Sequence, residues 1–586
     1  MQPIFSIMEG DKIVLDIKNF ATFVKIEPIN KGWSSDKKYY IETDKQNKLI
    51  LRIADLSEYD KKKTEYEMMK RLAESGLPIS QPIDFGICNN GKSVYSLLKW
   101  CDGEDAEKIL PNLTETEQYV LGLKSGQILR NIHTIPASND QEEWGAHFNR
   151  KTDNKMKNYQ DCDINIDDDD KIIAYIEENR HLLDDRPQCF QHGDYHVGNM
   201  VISPDGELSI IDFNRNDYGD PWEEFNRIVW SAAVSPHFAT GQINGYFNGR
   251  PPLEFFKLLT LYISSNTLSA IYWAIPFGDK ERSIMKDQAK DVLNWFDGMK
   301  NPVPNWYLKD FYIQYINQIP YKLKSPFDFT FIEQYGEVFK IYDDQDSGNI
   351  CFGVKNGAKR FFIKFAGAPT ERFPGNPEDA IARLKSTIPI YQDLAHSNLI
   401  KFLKGEEVGG GFAAIFEWTD GECMGRMYPL SRERFMQMPD STRLEVFNDI
   451  LAFHIHVINR GYVAIDFYDG SIMYDFSTKK TLICDIDFYS KRPYINTMGR
   501  MWGSSRFMSP EEFTLREAID EKTNVYLMGA TAFALFGGEE DRSIEKWRLS
   551  QDLYKVALRA VSDDRDNRQL SLSEFKTEWI MACDRT

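Results

Sequence analysis

The 586-residue chain has little that would build a disulfide scaffold, a zinc ribbon or a membrane span. Its eight cysteines are scattered singly, without a CxxC pair, which is typical of reduced thiols in a reducing compartment. The sequence contains no run of about 20 apolar residues, so it predicts no membrane partner. Residues 1–16 lack the basic start and continuous apolar run of a signal peptide, and we expect a cytoplasmic protein.

Basic residues are scarce as well. Lysine and arginine number 70 against 89 aspartates and glutamates, which gives a formal net charge of -19. A protein that binds nucleic acid needs a basic surface to neutralise phosphates, so this charge argues against a nucleic-acid partner. The charge permits a cationic substrate without establishing one. The length exceeds what one hydrophobic core usually organises, and we expect roughly two to four domains.

Histidine is also rare, with nine in the chain, yet two of them lie in the stretch "CFQHGDYHVGNM". His192, Asp194 and His196 occupy alternate positions there, and Asn199 follows. Two chemistries fit this pattern. The three alternate residues could bind a divalent metal ion, or Asp194 could accept a proton from a substrate hydroxyl while Asn199 binds magnesium.

An internal repeat helps to choose between these chemistries. The motif Trp-x-Asp-Gly-Glu occurs at 100–104 and again at 418–422, and the same order of predicted elements flanks both copies. Strands, a helix and further strands precede the motif; a helix, a loop with an aspartate and a β-hairpin follow it. This separation predicts two related domains in tandem. We predict domains at 1–300 and 326–586, joined by a linker at 301–325.

The two copies share three positions around the loop. Each has an aspartate, an amide or hydroxyl side chain five residues later, and an Asp-Phe pair after the hairpin. The corresponding residues are Asp194, Asn199 and Asp212-Phe213 in the first copy, and Asp466, Ser471 and Asp487-Phe488 in the second. The step from the first to the last aspartate is 18 residues in one copy and 21 in the other, which we attribute to a longer turn.

The histidines do not recur. Ala464 stands at the position of His192, and Tyr468 at that of His196. A metal site built on the two histidines would be absent from the second copy. We therefore interpret His192 as a structural residue that braces the loop and Asp194 as a proton acceptor.

At these residues the chain resembles the protein-kinase-like superfamily twice. "QHGDYHVGN", "IIDF" and "GDPWEEF" resemble the aminoglycoside phosphotransferase and choline kinase family, over about residues 20–300. "FFIKF", "AIDFYDGS", "DFY" and "GSSRFMSPEE" are similar to Ser/Thr protein kinases, from about residue 325 onward. The resemblance implies an α+β fold of two bilobal domains in tandem, each with a small β-rich lobe and a larger helical lobe.

The resemblance also implies a function. ATP and Mg²⁺ would be the cofactors, and the first domain would phosphorylate a hydroxyl of a small molecule, with cationic acceptors among the candidates; a protein substrate is open for the second domain. Phosphoryl transfer requires positioning and charge neutralisation, which carboxylate, amide and cationic side chains supply. The implied catalytic residues are Asp194 and Asp466; the implied metal ligands are Asn199, Asp212, Ser471 and Asp487; and the implied nucleotide-binding residues are Arg52, Glu65, Lys364, Gly32 and Ser34.

The first domain departs from the family pattern at one position. Arg52 stands where the resemblance implies a lysine, and this exchange is not conservative because the planar guanidinium has a different donor geometry. Glu65, on the next helix, could pair with Arg52 or lie on a solvated helix face.

The second domain departs further. Its first strand connection, "DDQDSG" at 343–348, is acidic where a glycine-rich turn would bind phosphates, and this should weaken nucleotide binding unless a cation intervenes. Ser471 replaces asparagine, and Ile465 replaces the arginine that would bind a phosphate on the activation loop. Glu378 and Asp379 could pair with Lys364, although after Asn376-Pro377 they read better as the start of a helix. The second domain would be weakly active or a pseudokinase.

Other interpretations stay open. The protein could be a regulatory or scaffold protein with degenerate nucleotide sites, or a Ser/Thr protein kinase whose first domain is a sensor. The acidic run at 161–170 could attract a cationic amine, although such runs are usually solvated loop or helix-entry sequence. We also expect Glu511 and Arg568 to form a buried ion pair below the activation segment.

Overall fold

The computed structural model describes residues 16–30, 36–138, 140–308 and 311–584. The chain divides into two compact units, which we call unit 1 (Met1–Asp310) and unit 2 (Phe311–Thr586). Among the residues described, no helix combines the length and apolar character needed to cross a bilayer.

Unit 1 begins with a five-stranded antiparallel sheet in the order β1-β2-β3-β5-β4. Its strands are β1 (Phe23–Ile29), β2 (Lys37–Thr43), β3 (Lys48–Asp55), β4 (Pro82–Cys88) and β5 (Ser93–Lys99). Side chains alternate along β3: Leu49, Leu51 and Ile53 join one buried cluster, whereas Arg52 points to the opposite face. The helix α1 (Tyr59–Glu74) connects β3 to β4 and buries Glu65.

The rest of unit 1 is mainly helical. Its helices are α2 (Ala106–Ile109), α3 (Glu115–Ile132), α4 (Trp144–Gln160), α5 (Asp169–Asn179), α6 (Ile228–Val234), α7 (Pro236–Phe247), α8 (Leu253–Trp273) and α9 (Asp279–Trp295). Its short strands are β6 (Glu104–Asp105), β7 (Cys189–Gln191), β8 (Met200–Ile202), β9 (Leu208–Ile210) and β10 (Asp217–Gly219). β6, β8 and β9 form one small sheet, and β7 pairs with β10.

Two helices of unit 1 touch backbone to backbone. Gly122 and Gly126 of α3 face Gly241 and Gly245 of α7, and a Cβ atom added at any of the four would lie 2.0–2.2 Å from a carbonyl oxygen of the other helix. The spacing of four residues places each pair on one helix face. Only glycine permits this approach, which fixes α3 against α7.

Unit 2 begins with a hairpin and a second five-stranded antiparallel sheet, in the order β13-β14-β15-β17-β16. The strands are β11 (Tyr312–Ile316), β12 (Ile319–Leu323), β13 (Glu337–Tyr342), β14 (Asn349–Asn356), β15 (Lys359–Ala366), β16 (Phe402–Val408) and β17 (Gly411–Glu417). The helix α10 (Pro377–Asp393) connects β15 to β16. Sheet order and helix position are therefore the same in the two units.

The remaining elements of unit 2 repeat the same order. The strands are β18 (Glu422–Cys423), β19 (Tyr462–Val463), β20 (Ile472–Asp475), β21 (Lys480–Ile483), β22 (Ser490–Lys491), β23 (Tyr494–Ile495) and β24 (Ala518–Ile519). The helices are α11 (Pro429–Met436), α12 (Asp440–Asn459), α13 (Glu521–Phe536), α14 (Gln551–Ala560) and α15 (Leu572–Cys583). The sheet β18-β20-β21 matches β6-β8-β9, and the pair β19-β22 matches β7-β10.

The segment predicted as a linker, 301–325, is partly structured. β11 and β12 pair within it, and Tyr321 and Leu323 are buried in the same cluster as Ile341 of β13. Because these apolar side chains complete the core below the sheet, the hairpin belongs to unit 2. The linker prediction is wrong for this part of the segment.

Unit 1 contains an insertion that unit 2 lacks. α4 and α5 lie between α3 and β7, whereas in unit 2 α12 leads directly to β19. The acidic run at 161–170 ends in α5, with Asp169 and Asp170 in its first turn, and Tyr159 donates to Asp169 at 2.7 Å. The run is therefore a loop that leads into a helix, and its last two carboxylates lie at the positive end of the helix dipole.

The expected ion pair of Glu511 and Arg568 is confirmed. Both residues are buried, and the Arg568 guanidinium donates to both carboxylate oxygens of Glu511 at 2.7 and 3.0 Å. Thr523 of α13 donates to the same carboxylate at 2.9 Å. The pair ties the segment before α13 to the segment before α15.

We predict that Arg568→Met lowers the free energy of unfolding of unit 2 by about 3 kcal/mol, because the change leaves a buried carboxylate without its main partner. Urea unfolding of the full chain measures this loss. The matched control is Arg559→Met, which breaks solvent-accessible pairs with Glu574 and Glu578 and should cost less than about 1 kcal/mol. Equal losses for the two variants would contradict the argument.

Candidate active site

His192 braces the loop that carries Asp194. The imidazole is buried; its Nδ1 accepts from the Asp194 N–H at 3.2 Å, and its Nε2 donates to the Ile211 carbonyl at 2.9 Å. Its ring packs 4.4 Å from that of Phe213. Both ring nitrogens are engaged, so the structural interpretation of His192 is confirmed. Nowhere in the described residues do three or more His, Cys, Asp or Glu side chains form a group that could hold a metal ion.

Glu224 fixes the backbone of the same loop. The N–H groups of His192 and Gly193 donate to its two carboxylate oxygens at 2.6 and 2.9 Å. Gly193 has φ 82°, and a Cβ there would lie 1.8 Å from the Arg215 carbonyl, so no other residue fits. The sequence analysis did not identify Glu224 individually. The feature that could have identified Glu224 is its position in the quoted motif "GDPWEEF".

Asn199 follows in a short 3-10 turn before β8. Its Nδ2 donates to the Asp194 carbonyl at 2.9 Å, which orients the amide and leaves Oδ1 as the atom able to bind a cation. The turn therefore holds Asp194 and Asn199 in one fixed arrangement.

Two arginines and a histidine surround the Asp194 carboxylate. Its oxygens lie 3.4 Å from Nε of Arg227, 3.7 Å from Nε2 of His196 and 3.9 Å from a terminal nitrogen of Arg215. Nδ1 of His196 accepts from the Gly198 N–H at 3.1 Å, so the proton of a neutral imidazole lies on Nε2 and faces Asp194. Burial alone would raise the pKa of Asp194, but these groups outweigh it and hold the pKa well below its usual range.

Arg215 and Arg227 were not identified from the sequence. They lie 21 and 33 residues after Asp194, and nothing in their spacing marks them as neighbours of a catalytic loop. Arg227 ends the turn that opens at Glu223, so the same motif that supplies Glu224 also brings this guanidinium to the site.

Arg52 lies at the centre of a buried ion network. Its guanidinium donates to Asp212 at 2.9 Å and to Asp36 at 3.0 Å, and Glu65 lies 3.7 Å away. Only 7% of its side chain is exposed. The full network consists of Arg52, Lys38 and Lys62 with Asp36, Glu65 and Asp212.

The network explains why arginine can stand where a lysine was implied. One guanidinium bonds two carboxylates through separate nitrogens, whereas an ammonium is a single point of charge. Burial opposes the charge of Arg52, but Asp212, Glu65 and Asp36 outweigh it, so its pKa is raised. Glu65 therefore pairs with Arg52 rather than lying on a solvated helix face. Gly32 and Ser34, the predicted phosphate-covering turn, lie outside the described residues.

Asp212 follows β9 in the left-handed backbone region, at φ 67°. Burial would raise its pKa, but Arg52 and, 3.5 Å away, Lys38 lower it. The side chain is thus held ionised beside Asn199, whose carbonyl accepts from the N–H of Ile211 at 3.0 Å.

The hydrogen bonding between the loop and the following strand is the same in unit 2 as in unit 1. It corrects the predicted correspondence between Asp212 and Asp487. The N–H of Cys484 donates to the Ser471 carbonyl at 2.9 Å, as that of Ile211 does to Asn199. The residue after Cys484 is Asp485, which also has a positive φ, 56°. Asp485, and not Asp487, therefore corresponds to Asp212. The Asp-Phe match misled the sequence comparison because this segment, Asp-Ile-Asp-Phe, contains two aspartates.

Lys364 of β15 contacts both aspartates. Its ammonium lies 3.0 Å from Asp485 and 2.8 Å from Asp487, and the Tyr391 hydroxyl of α10 donates to Asp487 at 2.9 Å. Asp466 is the predicted catalytic residue of this unit, and the carboxylates of Asp485 and Asp487 are close enough to repel its charge.

Glu378 and Asp379 lie at the start of α10. They occupy its first turn, after Pro377 at the first helical position, as the helix-start interpretation predicted. Asn376 makes no side-chain cap bond there. The ion pairs of Lys364 go instead to the two aspartates after β21.

The acidic turn 343–348 does meet a cation. Lys322 of β12 is buried; its N–H donates to Asp343 at 2.7 Å, and its ammonium lies 2.9 Å from Asp344. The hairpin that was predicted as linker therefore supplies the charge that stabilises this turn.

Asp466 and Asp194 have opposite surroundings. Burial, and then repulsion by Asp485, Asp346, Glu512 and Asp487, raises the pKa of Asp466 to about 7. A substantial fraction of this carboxyl is therefore protonated near neutral pH, whereas Asp194 is ionised.

Comparison with known proteins assigns a class to unit 1. Residues 25–256 match the model of the phosphotransferase enzyme family, APH. No curated protein sequence matches the chain. Unit 1 thus contains a segment that matches the APH phosphotransferase domain.

Solved structures of similar proteins include two groups. A thermostable mutant of aminoglycoside phosphotransferase APH(4)-Ia without ligand is 15% identical, with 47% of this chain and 96% of that chain covered and a TM-score of 0.37. A ternary complex of such a mutant with ADP and hygromycin B is 17% identical, with 47% and 95% covered and the same TM-score. A choline/ethanolamine kinase family protein from Mesorhizobium loti is 13% identical, with 47% and 91% covered and a TM-score of 0.36.

We predict that Asp466→Asn stabilises the protein at pH 8 and has little effect at pH 4.5. The folded-state pKa of about 7 lies above the ordinary 3.8, so folding binds a proton between these values and stability falls as the pH rises through them. Removing the charge should raise the free energy of unfolding by about 2 kcal/mol at pH 8. Urea unfolding at the two pH values measures the change.

Asp475→Asn is the matched control for this measurement. Hydrogen bonds from Ser477 and Thr478 lower the pKa of Asp475 to about 2, so its ionised form stabilises the fold above the ordinary pKa and the variant should lose stability at pH 8. A pH-independent effect of Asp466→Asn would show that its carboxyl is ionised throughout.

Proposed function

We propose that unit 1 transfers the γ-phosphoryl group of ATP, with magnesium, to a hydroxyl group of a small molecule. The observation that carries this proposal is the joint placement of an ionised Asp194, the oriented amide of Asn199 and the Arg52–Asp212 pair in a segment that matches the phosphotransferase family.

Asp194 is the proposed proton acceptor. A hydroxyl that attacks phosphorus loses its proton, and an aspartate at hydrogen-bond distance can accept it and orient the oxygen. The surrounding cations keep the carboxylate ionised but also make it a weak base. This suits phosphoryl transfer, in which positioning and charge neutralisation contribute more than base strength.

Asn199 and Asp212 are the proposed magnesium ligands. An amide oxygen and a carboxylate are ligands that magnesium prefers, and the ion commonly takes only one or two protein side chains, with phosphates and water completing its shell. The residues present thus fit the ion. Bound magnesium would neutralise phosphate charge. Arg52 and Lys38, which pair with Asp212, are the cations placed to meet the phosphates.

For unit 2 we propose a protein-kinase-like domain with a weak or regulatory nucleotide site, acting on a protein if it acts at all. Three features support this: the raised pKa of Asp466, the short Ser471, and the engagement of Lys364 by two aspartates. Its metal ligands would be Ser471 and Asp485.

We expect that phosphorylation of the activation segment is not needed to order this unit. Arg506, within the activation segment, pairs with the buried Asp469 at 2.8 and 2.9 Å. The segment is therefore tied to the catalytic loop by its own arginine, and Ile465 offers no cation for a phosphate to neutralise.

We expect Asp194→Asn to lower phosphoryl transfer to a small-molecule acceptor by about 10² to 10⁴-fold, the usual cost of losing a positioned general base. Affinity for magnesium-ATP should change little, because Asn199 and Asp212 remain. Coupled ADP-release assays and nucleotide titration measure the two quantities. Asp466→Asn is the control and should leave this transfer unchanged; full activity of Asp194→Asn would refute the assignment.

The register in unit 2 leads to a second test. In an Asp212→Asn background, which weakens magnesium-ATP binding by unit 1, we expect Asp485→Asn to remove the magnesium dependence of the remaining ATP binding and Asp487→Asn to reduce it less. The reason is that Asp485 occupies the position of Asp212. Titration with a fluorescent ATP analogue, with and without magnesium, measures this. A larger effect of Asp487→Asn would favour the register predicted from the sequence.

A further inference from the structure

Several basic side chains lie around Asp194 and the turn Glu223–Arg227. Arg215 and Arg227 lie within 3.9 Å of the Asp194 carboxylate. Lys151 of α4 lies 4.0 Å from Glu223, which opens the turn that ends in Arg227, and Lys155 lies one helical turn after Lys151. Among the described residues, these basic side chains form ion pairs with Asp194 and Glu223. This group of arginines and lysines occurs in a protein whose net charge is -19.

Lys155 is the least compensated of these cations. Burial, followed by repulsion from Lys151 and Arg227 and partly offset by Glu223, lowers its pKa to about 7. In the described part of the chain, no carboxylate lies within ion-pair distance of its ammonium. An unpaired, partly buried lysine beside an arginine is costly, and such perturbed groups concentrate at sites that bind a ligand.

The fold holds these cations in place. Trp144, at the start of α4, donates to the Tyr262 hydroxyl at 3.0 Å, and that hydroxyl donates to the buried Asp220 at 2.5 Å. Asp220 precedes the turn Glu223–Arg227, which carries Arg227 to Asp194. The insertion helix and the motif that follows β10 are thereby joined at one buried carboxylate, and Lys151 of the helix lies 4.0 Å from Glu223 of the turn.

This arrangement disfavours the cationic acceptor considered from the sequence. An amine bound beside Asp194 would add positive charge next to Arg215 and Arg227, which already lie there. In the acidic run that could have attracted an amine, Tyr159 donates to Asp169 and Lys171 pairs with Asp168.

We propose that the acceptor of unit 1 is a small hydroxylated molecule that carries an oxyanion, a carboxylate or a phosphate. This inference rests on the proposed phosphotransferase function. The oxyanion binds Lys155, Arg227 and Arg215, and the hydroxyl meets Asp194. In the reaction the acceptor O–H bond breaks and its proton passes to Asp194, a bond forms between the acceptor oxygen and the γ-phosphorus, and the bridging P–O bond breaks, leaving its electron pair on ADP.

Matched sets of alcohols test this proposal on the full chain. One set is glycerol, glycerate, glycerol 3-phosphate and ethanolamine; the other is glucose, gluconate, glucose 6-phosphate and glucosamine. Magnesium-ATP-dependent transfer and calorimetric binding in the presence of magnesium-ADP are measured for each compound. We expect the anionic members to exceed their neutral and amine counterparts by at least about tenfold in kcat/KM and in affinity.

Variants of α4 provide the control. Lys155→Gln should weaken binding of the anionic members by about tenfold and raise their KM, with little change in magnesium-ATP affinity. Lys157→Gln changes an exposed lysine of the same helix and should behave as the wild type. Lys155→Glu should shift the preference toward the amine members.

The outcomes separate the two proposals. Asp194-dependent transfer to neutral or amine members with equal or greater efficiency would overturn the oxyanion inference and support the phosphotransferase function. Lys155-dependent binding of anionic members without transfer would support the oxyanion site and count against the function. Failure of every anionic member to bind, or binding insensitive to Lys155→Gln, would overturn the inference.

Discussion

The ion pair between Arg52 and Asp212 joins the two parts of unit 1 on which the site depends. One partner belongs to the five-stranded sheet and the other to the loop after β9, 160 residues later in the chain. A buried pair of this kind is not strong evidence of stability, because desolvation of both charges offsets much of their attraction. Its main effect is geometric, since it fixes where the sheet ends relative to the catalytic loop. In unit 2, Lys364 with Asp485 and Asp487 makes the corresponding connection.

The two units show how one backbone arrangement can hold chemically different sites. Both place an aspartate after the strand that precedes the loop, and both follow it with a short 3-10 turn and a hairpin. The neighbours differ in sign. Arginines and a histidine surround Asp194, whereas carboxylates surround Asp466. The same position is therefore ionised in one unit and partly protonated in the other, and the difference comes from residues outside the motif.

Local sequence patterns predicted the parts of the site that local structure determines. The five-residue step from Asp194 to Asn199 and the bracing role of His192 follow from one loop and its flanking strands. The repeat of the sheet followed from periodicity and turn residues. Where two aspartates stood two positions apart, the sequence alone could not choose the register, because a hairpin of either length is physically acceptable. The hydrogen bond from Cys484 to Ser471 settles that choice.

Residues brought to the site by tertiary packing escaped prediction. Arg215, Arg227 and Lys155 come from separate elements, and only the folded chain shows that they are neighbours. The hairpin β11–β12 was similarly hidden, because its proline-punctuated sequence resembles a connection; its buried Tyr321 and Leu323 become core residues only in contact with β13.

The glycine contact between α3 and α7 limits how far these two helices can move relative to each other beside the site of unit 1. α3 supplies the Ser125 carbonyl to which the Tyr195 hydroxyl donates at 2.8 Å, directly beside Asp194, while α7 continues from the segment that carries Arg227. Two helices in backbone contact have no side-chain layer through which to slide or tilt. The separation of Asp194 and Arg227 is therefore constrained by main-chain van der Waals contact between the two helices. Under the proposed function, recognition of different acceptors would then come from the outer helix α4, while Asp194 and Arg227 keep a fixed separation.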